Sequence, residues 1–415
     1  MKKSILLIGY NYQPEPTGIG KYSGEMIKWL AENGCECTVI TTYPYYPYWK
    51  VQEPYRKNRF WFKKEYSAYE SGGSIKVIRC PIYVPAKPSG LKRIILDFSF
   101  LLTSAFPLFL QFFARKKDLV MAVAPSFLVG LPAVWYTFFK KSPFIYHIQD
   151  MQIEAARDLG MIKSDFLIKL LFKVEKFIVN HADVVSSISD GMMLKLKQKF
   201  NREIFFFPNW ADIAKFQPLE NKSGIKVEFG FQSTDIIALY SGAIGQKQGL
   251  EAILHAAVYF TDRPEIKFII CGSGPYRETL EAMSRELELK NVFFFPLQPL
   301  EKFNSFLNLA DVHLVIQKAD ASDLMMPSKL TAILAVGGLA LITANENSGL
   351  HTLVQKQGVG VVVKAENQEA LNSGLENVFA QSSQSLKIKK TARLYAEKFL
   401  DKNQIMARFK KEFLK

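Results

Sequence analysis

Cysteine and histidine are scarce, four and five in 415 residues. There is no Cys-x-x-Cys pair, and Cys35, Cys37, Cys80 and Cys271 are scattered as reduced thiols of a cytosolic protein are, which argues against a disulfide framework and a zinc site. The histidines are equally dispersed, and His255, His313 and His351 fall in helix or strand patterns where a structural role suffices. Acids are also short, 39 against 53 lysines and arginines, leaving a net charge of +14 and a pI near 9.3. Such a balance favours nucleic acid, anionic lipid or phosphorylated small molecules without choosing among them. Low-complexity tracts are missing, and 48% hydrophobic with 22% charged residues is a globular balance that excludes disorder. Also missing is a Gly-x-Gly-x-x-Gly turn with an acid for a dinucleotide ribose, so a nicotinamide site is unsupported.

Long apolar runs are nearly absent. Ser4-Ile5-Leu6-Leu7-Ile8-Gly9, behind Met1-Lys2-Lys3, is too short for a secretory signal and reads as a buried first strand. Ile94 to Ala114 is the one long run, bracketed by Lys92-Arg93 and Arg115-Lys116-Lys117 and about one membrane span in length. Asp97, Ser99, Thr103, Ser104, Pro107 and Gln111 interrupt it, which predicts a helix packed on its domain or lying in the bilayer interface rather than crossing.

What is present is an alternation of short β-branched runs with helical patterns, the sequence form of repeated βαβ units. It runs once from Ser4–Ile8 to Ile204–Phe207 and restarts at Ile236–Tyr240, and the length suits two cores of about 200 residues. The expected division is a Rossmann-like domain over 1–207, a second over 208–391, and helices over 392–415 returning to the first. Proline and polar turn residues at 207–218 mark the hinge. Residues 43–72 read as an aromatic loop, suited to stacking on sugar, dipping into lipid or ordinary packing.

Candidate chemistry lies at strand ends. Pro327-Ser328-Lys329 opens an apolar helix, and the free N–H groups and dipole of such a start favour a phosphate. A cation there opposes the dipole, so Lys329 is explained by a bound polyanion, or is simply solvated. Three glycine turns follow strands: Gly18 and Gly20 in the first half, Gly242 with Lys247, and Gly272 with Gly274. Each alone is also consistent with a tight turn; together with the Pro-Ser-Lys start, those of the second half point to a nucleotide diphosphate at the carboxyl edge of its sheet. In the first half, His147, Asp150 and Glu154 end a buried strand, placed to bind sugar hydroxyls or move a proton, although His147 could equally cap the sheet.

The runs Tyr-x-Pro-Glu-x-Thr-Gly-Ile-Gly-Lys-Tyr at 12–22, His-Ile-Gln-Asp at 147–150, Phe-Pro-Asn-Trp at 207–210 and Pro-Ser-Lys-Leu-Thr at 327–331 resemble the retaining, nucleotide-sugar-dependent glycosyltransferases of family four, and within them the colanic acid biosynthesis fucosyltransferase group. The resemblance implies a GT-B fold, two doubly wound domains facing a cleft. It implies that Gly18 and Gly20 face the donor phosphates, that His147 contacts the donor sugar, and that Lys247 and Lys329 neutralise the diphosphate. The base would rest near Leu297. The chain departs from the family's Glu-x7-Glu motif, having Leu324 and Ala332 at those positions, with Asp323 beside the first. The usual Arg and Lys of the phosphate turn fall at Ala243 and Gln248.

The expectation is therefore an enzyme moving a hexose, fucose from GDP-fucose before any other, onto a lipid-linked oligosaccharide at the cytoplasmic face of the membrane, with retained stereochemistry. No metal and no cofactor beyond the GDP- or UDP-linked donor are expected. Anionic membrane is the expected surface partner, and nucleic acid is not, since no recognition motif accompanies the charge. A GT-B-fold epimerase and a non-catalytic assembly partner are the rival readings.

Overall fold

The computed structural model describes every residue except 1, 16–17, 88, 159–161, 163, 320–327, 347 and 381–382, and the side chains of Leu91, Phe127, Ala155, Asp158 and Lys247. The chain forms two compact units, Met1–Pro208 with Met406–Lys415, and Asn209–Ile405.

The first unit contains β1 (Ser4–Ile8), β2 (Glu36–Thr42), β3 (Lys63–Ala68), β4 (Ser74–Cys80), β5 (Leu119–Ala124), β6 (Phe144–Ile148), β7 (Val184–Ser187) and β8 (Ile204–Phe206). Its sheet order is β3-β4-β2-β1-β5-β6-β7-β8. The short apolar runs become parallel strands because both sheet faces are covered, and β1, β5 and β6 are buried at every residue. Of its helices, α1 (Gly18–Glu32), α2 (Gly90–Gln111) and α3 (Gly130–Lys140) matter most below.

The second unit repeats the plan with β9 (Ile236–Ser241), β10 (Ile266–Cys271), β11 (Val292–Phe295), β12 (Val312–Val315), β13 (Ala340–Ala344) and β14 (Val361–Lys364), all parallel, in the order β11-β10-β9-β12-β13-β14. In each sheet the chain winds outward in one direction and then the other, so the order reverses between β1 and β5 and between β9 and β12. The carboxyl ends at such a reversal are where doubly wound sheets bind ligands.

Two expectations need correction. Within the segment read as loop, β3 pairs antiparallel with β4, from Lys63 opposite Arg79 to Ala68 opposite Ser74. It is an edge strand with side chains mostly exposed and with Lys63, Lys64 and Glu65 in place of an apolar run, the charged composition that protects edges. The second correction concerns the chain end: residues 392–405 stay with the second unit. Ala392 and Ala396 are wholly buried in its core, and Arg393 Nη1 donates to the carbonyls of Phe216 and Ala335. Only the last ten residues join the first unit, where Phe409 stacks on Phe207 at 4.7 Å and Phe413 meets Phe205 at 5.0 Å.

Candidate functional site

At the carboxyl edge of the second sheet, the loops after β9 and β10 lie against each other as an extension of the ladder. Gly242 N–H donates to Cys271 O at 2.9 Å and Ile244 N–H to Ser273 O at 3.0 Å. The contact is too close for side chains: a Cβ on Gly272 would lie 1.8 Å from Gly242 O, and one on Gly274 2.0 Å from Ile244 O. Backbone packing is thus what Gly272 and Gly274 are for.

Gly242 has a different neighbour. A Cβ there would meet Lys329 Cε and Nζ at 3.0 Å. Lys329, in the first turn of the helix Ser328–Ala335, lays its Nζ 3.5 Å from the centroid of the buried Tyr240 ring, whose hydroxyl donates to Ala243 O at 2.6 Å. The cation–π contact replaces water only in part. Burial pulls the Lys329 pKa down to about 7. Burial disfavours the ammonium at this helix start, and an anion bound beside it would offset that cost.

Sequence reasoning missed three further groups on this edge. Among the described residues, Gln248 Oε1, Ser273 Oγ and Gln317 Oε1 are buried without a hydrogen-bond partner, in the loops after β9, β10 and β12 respectively. Buried polar atoms normally find partners, so unpartnered atoms in three loops of one sheet edge are groups a polar ligand could satisfy. Their loop positions were legible, but their orphaned state depends on packing. Ser328 is exposed at its helix start, and Leu297 is half-buried just beyond β11. Lys247 lies on the short turn Gln246–Gln248 with its side chain outside the described residues, and Asp323 and Leu324 fall outside them entirely. Ala332 is buried in the core.

In the first unit, the reversal between β1 and β5 collects a second polar group. Glu15, almost fully buried, accepts from the backbone N–H groups of Tyr45 and Tyr46 at 3.1 and 3.0 Å through Oε1, and from Asn11 Nδ2 at 2.8 Å through Oε2. It thereby fastens the loop after β2 to the loop after β1. Gly20 sits inside α1 because a Cβ there would meet Glu15 Oε2 at 2.6 Å, while Gly18, with φ of +61°, opens the helix in free space. Burial raises the Glu15 pKa to about 7 against the pull of its hydrogen bonds. Asp97 on α2 is likewise pushed up to about 7 by burial, with Ser126, Gln152 and Arg93 pulling it partly back. In the sequence Glu15 appears only within the run 12–22 and Asp97 only as an interruption of an apolar run, neither as a site candidate.

His147, on β6, is buried with Nδ1 2.9 Å from the Ser186 hydroxyl and its ring 5.3 Å from that of Phe207. Burial lowers its pKa to about 3, so it is a neutral hydrogen-bonding group and not a proton store at neutral pH. Asp150 is half-buried beyond the strand, close enough for its charge to add to burial in raising the phenol pKa values of Tyr10 and Tyr46. Glu154 Oε1 is 2.5 Å from Lys199 Nζ, which also binds Glu175 and lies over the Phe172 ring at 4.5 Å. The ion triad thus engages one Glu154 oxygen, while Oε2 is buried with no partner among the described residues.

The family models match in the same order as the units. Residues 17–210 match the glycosyl transferase 4-like domain and residues 221–395 the glycosyl transferases group 1. Over 413 residues the chain is 40% identical to a putative colanic acid biosynthesis glycosyl transferase, WcaI, of Escherichia coli K12, covering 98% of each. Among solved structures, sucrose-phosphate synthase from Thermosynechococcus elongatus superposes with a TM-score of 0.75 at 16% identity, covering 99% of this chain and 98% of that one. Anabaena HepE in complex with UDP and glucose gives 0.70 at 13% identity, covering 99% of both. These likenesses establish the GT-B fold of two Rossmann-like domains.

Proposed function

We propose, for a chain that belongs to the group 1 glycosyl transferases, that it moves a hexose from a nucleotide diphosphate sugar onto a lipid-linked saccharide during assembly of an exopolysaccharide of the colanic acid kind. Fucose from GDP-fucose is the first candidate donor. The observation that carries the reading is the seat of Lys329 on Tyr240 beside Gly242, on the sheet edge whose loops also carry Gln248, Ser273 and Gln317, unpartnered among the described residues. The near-complete match to WcaI supports the polysaccharide role.

In the reaction the bond from the sugar C1 to the diphosphate oxygen breaks, a bond from the acceptor oxygen to C1 forms on the same face, and the acceptor proton passes to the departing phosphate. Lys329 and the helix start at Ser328 stabilise the charge that develops on that phosphate, the role of a preorganised cationic site. His147, uncharged, hydrogen-bonds the sugar; Asp150 orients the acceptor. No metal ligand is required of the chain.

A thermal-shift screen of GDP, UDP, ADP and their sugars with EDTA present picks the donor, since selective binding stabilises the fold by mass action. The selected donor is then incubated with membrane lipid extract, and the product is read by mass spectrometry and by NMR of the new anomeric centre. One added sugar with the donor's anomeric configuration supports the reading. No stabilisation by any nucleotide, or an epimerised sugar formed without acceptor, overturns it.

A further inference from the structure

Helix α2 is amphipathic in the wrong sense for a helix facing water. Its polar residues Asp97, Ser104 and Gln111 point inward and are buried, together with Leu96, Phe100 and Leu108. Its outward face is apolar, with Leu102 73% and Phe106 56% exposed, and Phe113 just past its end 78% exposed. Exposed apolar surface of this extent marks an interaction site.

The face continues beyond the helix. On one side the Phe62 ring meets Phe106 at 5.4 Å, next to Trp61, which is 76% exposed. On the other, Phe112 carries the surface across to Trp135 at 4.7 Å on α3, and Trp135 to Phe139 at 6.3 Å. Cations border it: Arg59 lies over the Phe60 ring at 4.6 Å, Lys141 over Phe138 at 4.8 Å, and Lys140 Nζ reaches Ala114 O at 3.1 Å, beside Arg115 and Lys116. An apolar band with aromatic rings, edged by lysines and arginines, is complementary to the acyl and headgroup layers of an anionic bilayer.

We infer that this face of the first unit, built on α2 and the end of α3, inserts into one leaflet of an anionic membrane, with α2 lying in the interface and not crossing it. Twenty residues of α2, Lys92–Gln111, are long and apolar enough to cross by composition. Crossing would extract Asp97, Ser104 and Gln111 from the unit's core and break the bonds from Tyr83 N–H to Ser99 Oγ at 3.0 Å and from Thr103 Oγ1 to Pro81 O at 2.8 Å. Lying flat, the helix keeps every one of these and covers only its outer face, to a depth of roughly 5–10 Å. The inference stands apart from the proposed nucleotide site, which is built on Lys329 in the second unit, and uses none of the residues proposed for sugar transfer.

Co-sedimentation of the full chain with vesicles of phosphatidylcholine alone, and of phosphatidylcholine mixed with phosphatidylglycerol, tests it. Binding should require the anionic lipid, reverse at high salt, and fall roughly tenfold or more in Leu102→Glu/Phe106→Glu, two exposed positions whose change leaves the thermal midpoint and the nucleotide-induced shift intact. Three outcomes overturn the inference: equal recovery in the supernatant with every vesicle, release only by detergent, or self-association in ultracentrifugation that the same variant abolishes without any vesicle binding. Because the nucleotide shift is read on the same samples, its loss separates failure of the donor reading from failure of this one.

Discussion

An ammonium held on an aromatic ring at a helix start is in an unfavourable state until an anion arrives. The Lys329 pKa falls from 10.5 in water to about 7, so between those values the unfolded chain binds the extra proton and the folded one does not. Its contribution to stability is therefore greatest above pH 10.5 and is lost as pH falls toward 7. Ligand binding runs the other way: an incoming diphosphate restores the proton, so its affinity should rise as pH falls from about 9 to about 7, by up to roughly tenfold per unit. Titration calorimetry across that range, repeated with Lys329→Met, checks this; a slope that survives the substitution assigns it to another group. His147 differs in kind. Neutral and buried, it can act in the proposed reaction only through a hydrogen bond made during sugar transfer, which would be worth about 1–3 kcal/mol and hence roughly ten- to hundredfold in turnover. His147→Ala should lower kcat by that factor with nucleotide affinity unchanged, and equal loss of both would place it in ground-state binding.

At the scale of elements, the glycine loops and the buried carboxyls do measurable structural work. Gly272→Ala puts a methyl 1.8 Å from Gly242 O, so the loops after β9 and β10 must move apart and Ser273 moves with them. Loss of nucleotide-induced stabilisation, with a lower thermal midpoint, is expected. The Asp97 carboxyl has its pKa raised from 3.8 to about 7. The folded state thus holds the proton more tightly, and the contribution to stability, full below pH 3.8, is lost as pH rises through about 7. Asp97→Asn should accordingly raise the thermal midpoint at pH 8 and leave it unchanged near pH 4; a midpoint lowered at both would make the carboxylate a necessary partner. The sequence carried the clue to α2 in Asp97, Ser104 and Gln111, seven residues apart and so on one side of a helix. Which side faces the core was not legible, because a polar stripe ordinarily faces water. Strand β3 escaped for the reverse reason, having charges where a buried strand has valines.

Across the whole molecule, the parallel strands were legible to within a residue or two because a strand covered on both faces needs a continuous apolar run, and the sequence shows each one bounded by glycine or polar turns. The glycines and Lys329 of the second edge were legible too, but not that Gly272 and Gly274 serve backbone contact, nor that Gln248, Ser273 and Gln317 find no partner among the described residues. Those depend on which loops meet, a matter of topology. With Ala243 and Gln248 where the family has Arg and Lys, Lys247 and Lys329 are the cations left to the proposed donor site, and Lys329 is the one whose side chain the structure describes. Calorimetric titration of the nucleotide chosen by the screen, with EDTA, into the natural protein and into Lys329→Ala is thus the most direct measurement. The expected result is binding by the natural protein and a loss of about 1–3 kcal/mol in the folded variant, as for a charge-assisted hydrogen bond to phosphate. Equal affinity in both proteins, or binding that disappears with EDTA, would contradict a diphosphate site built on this lysine.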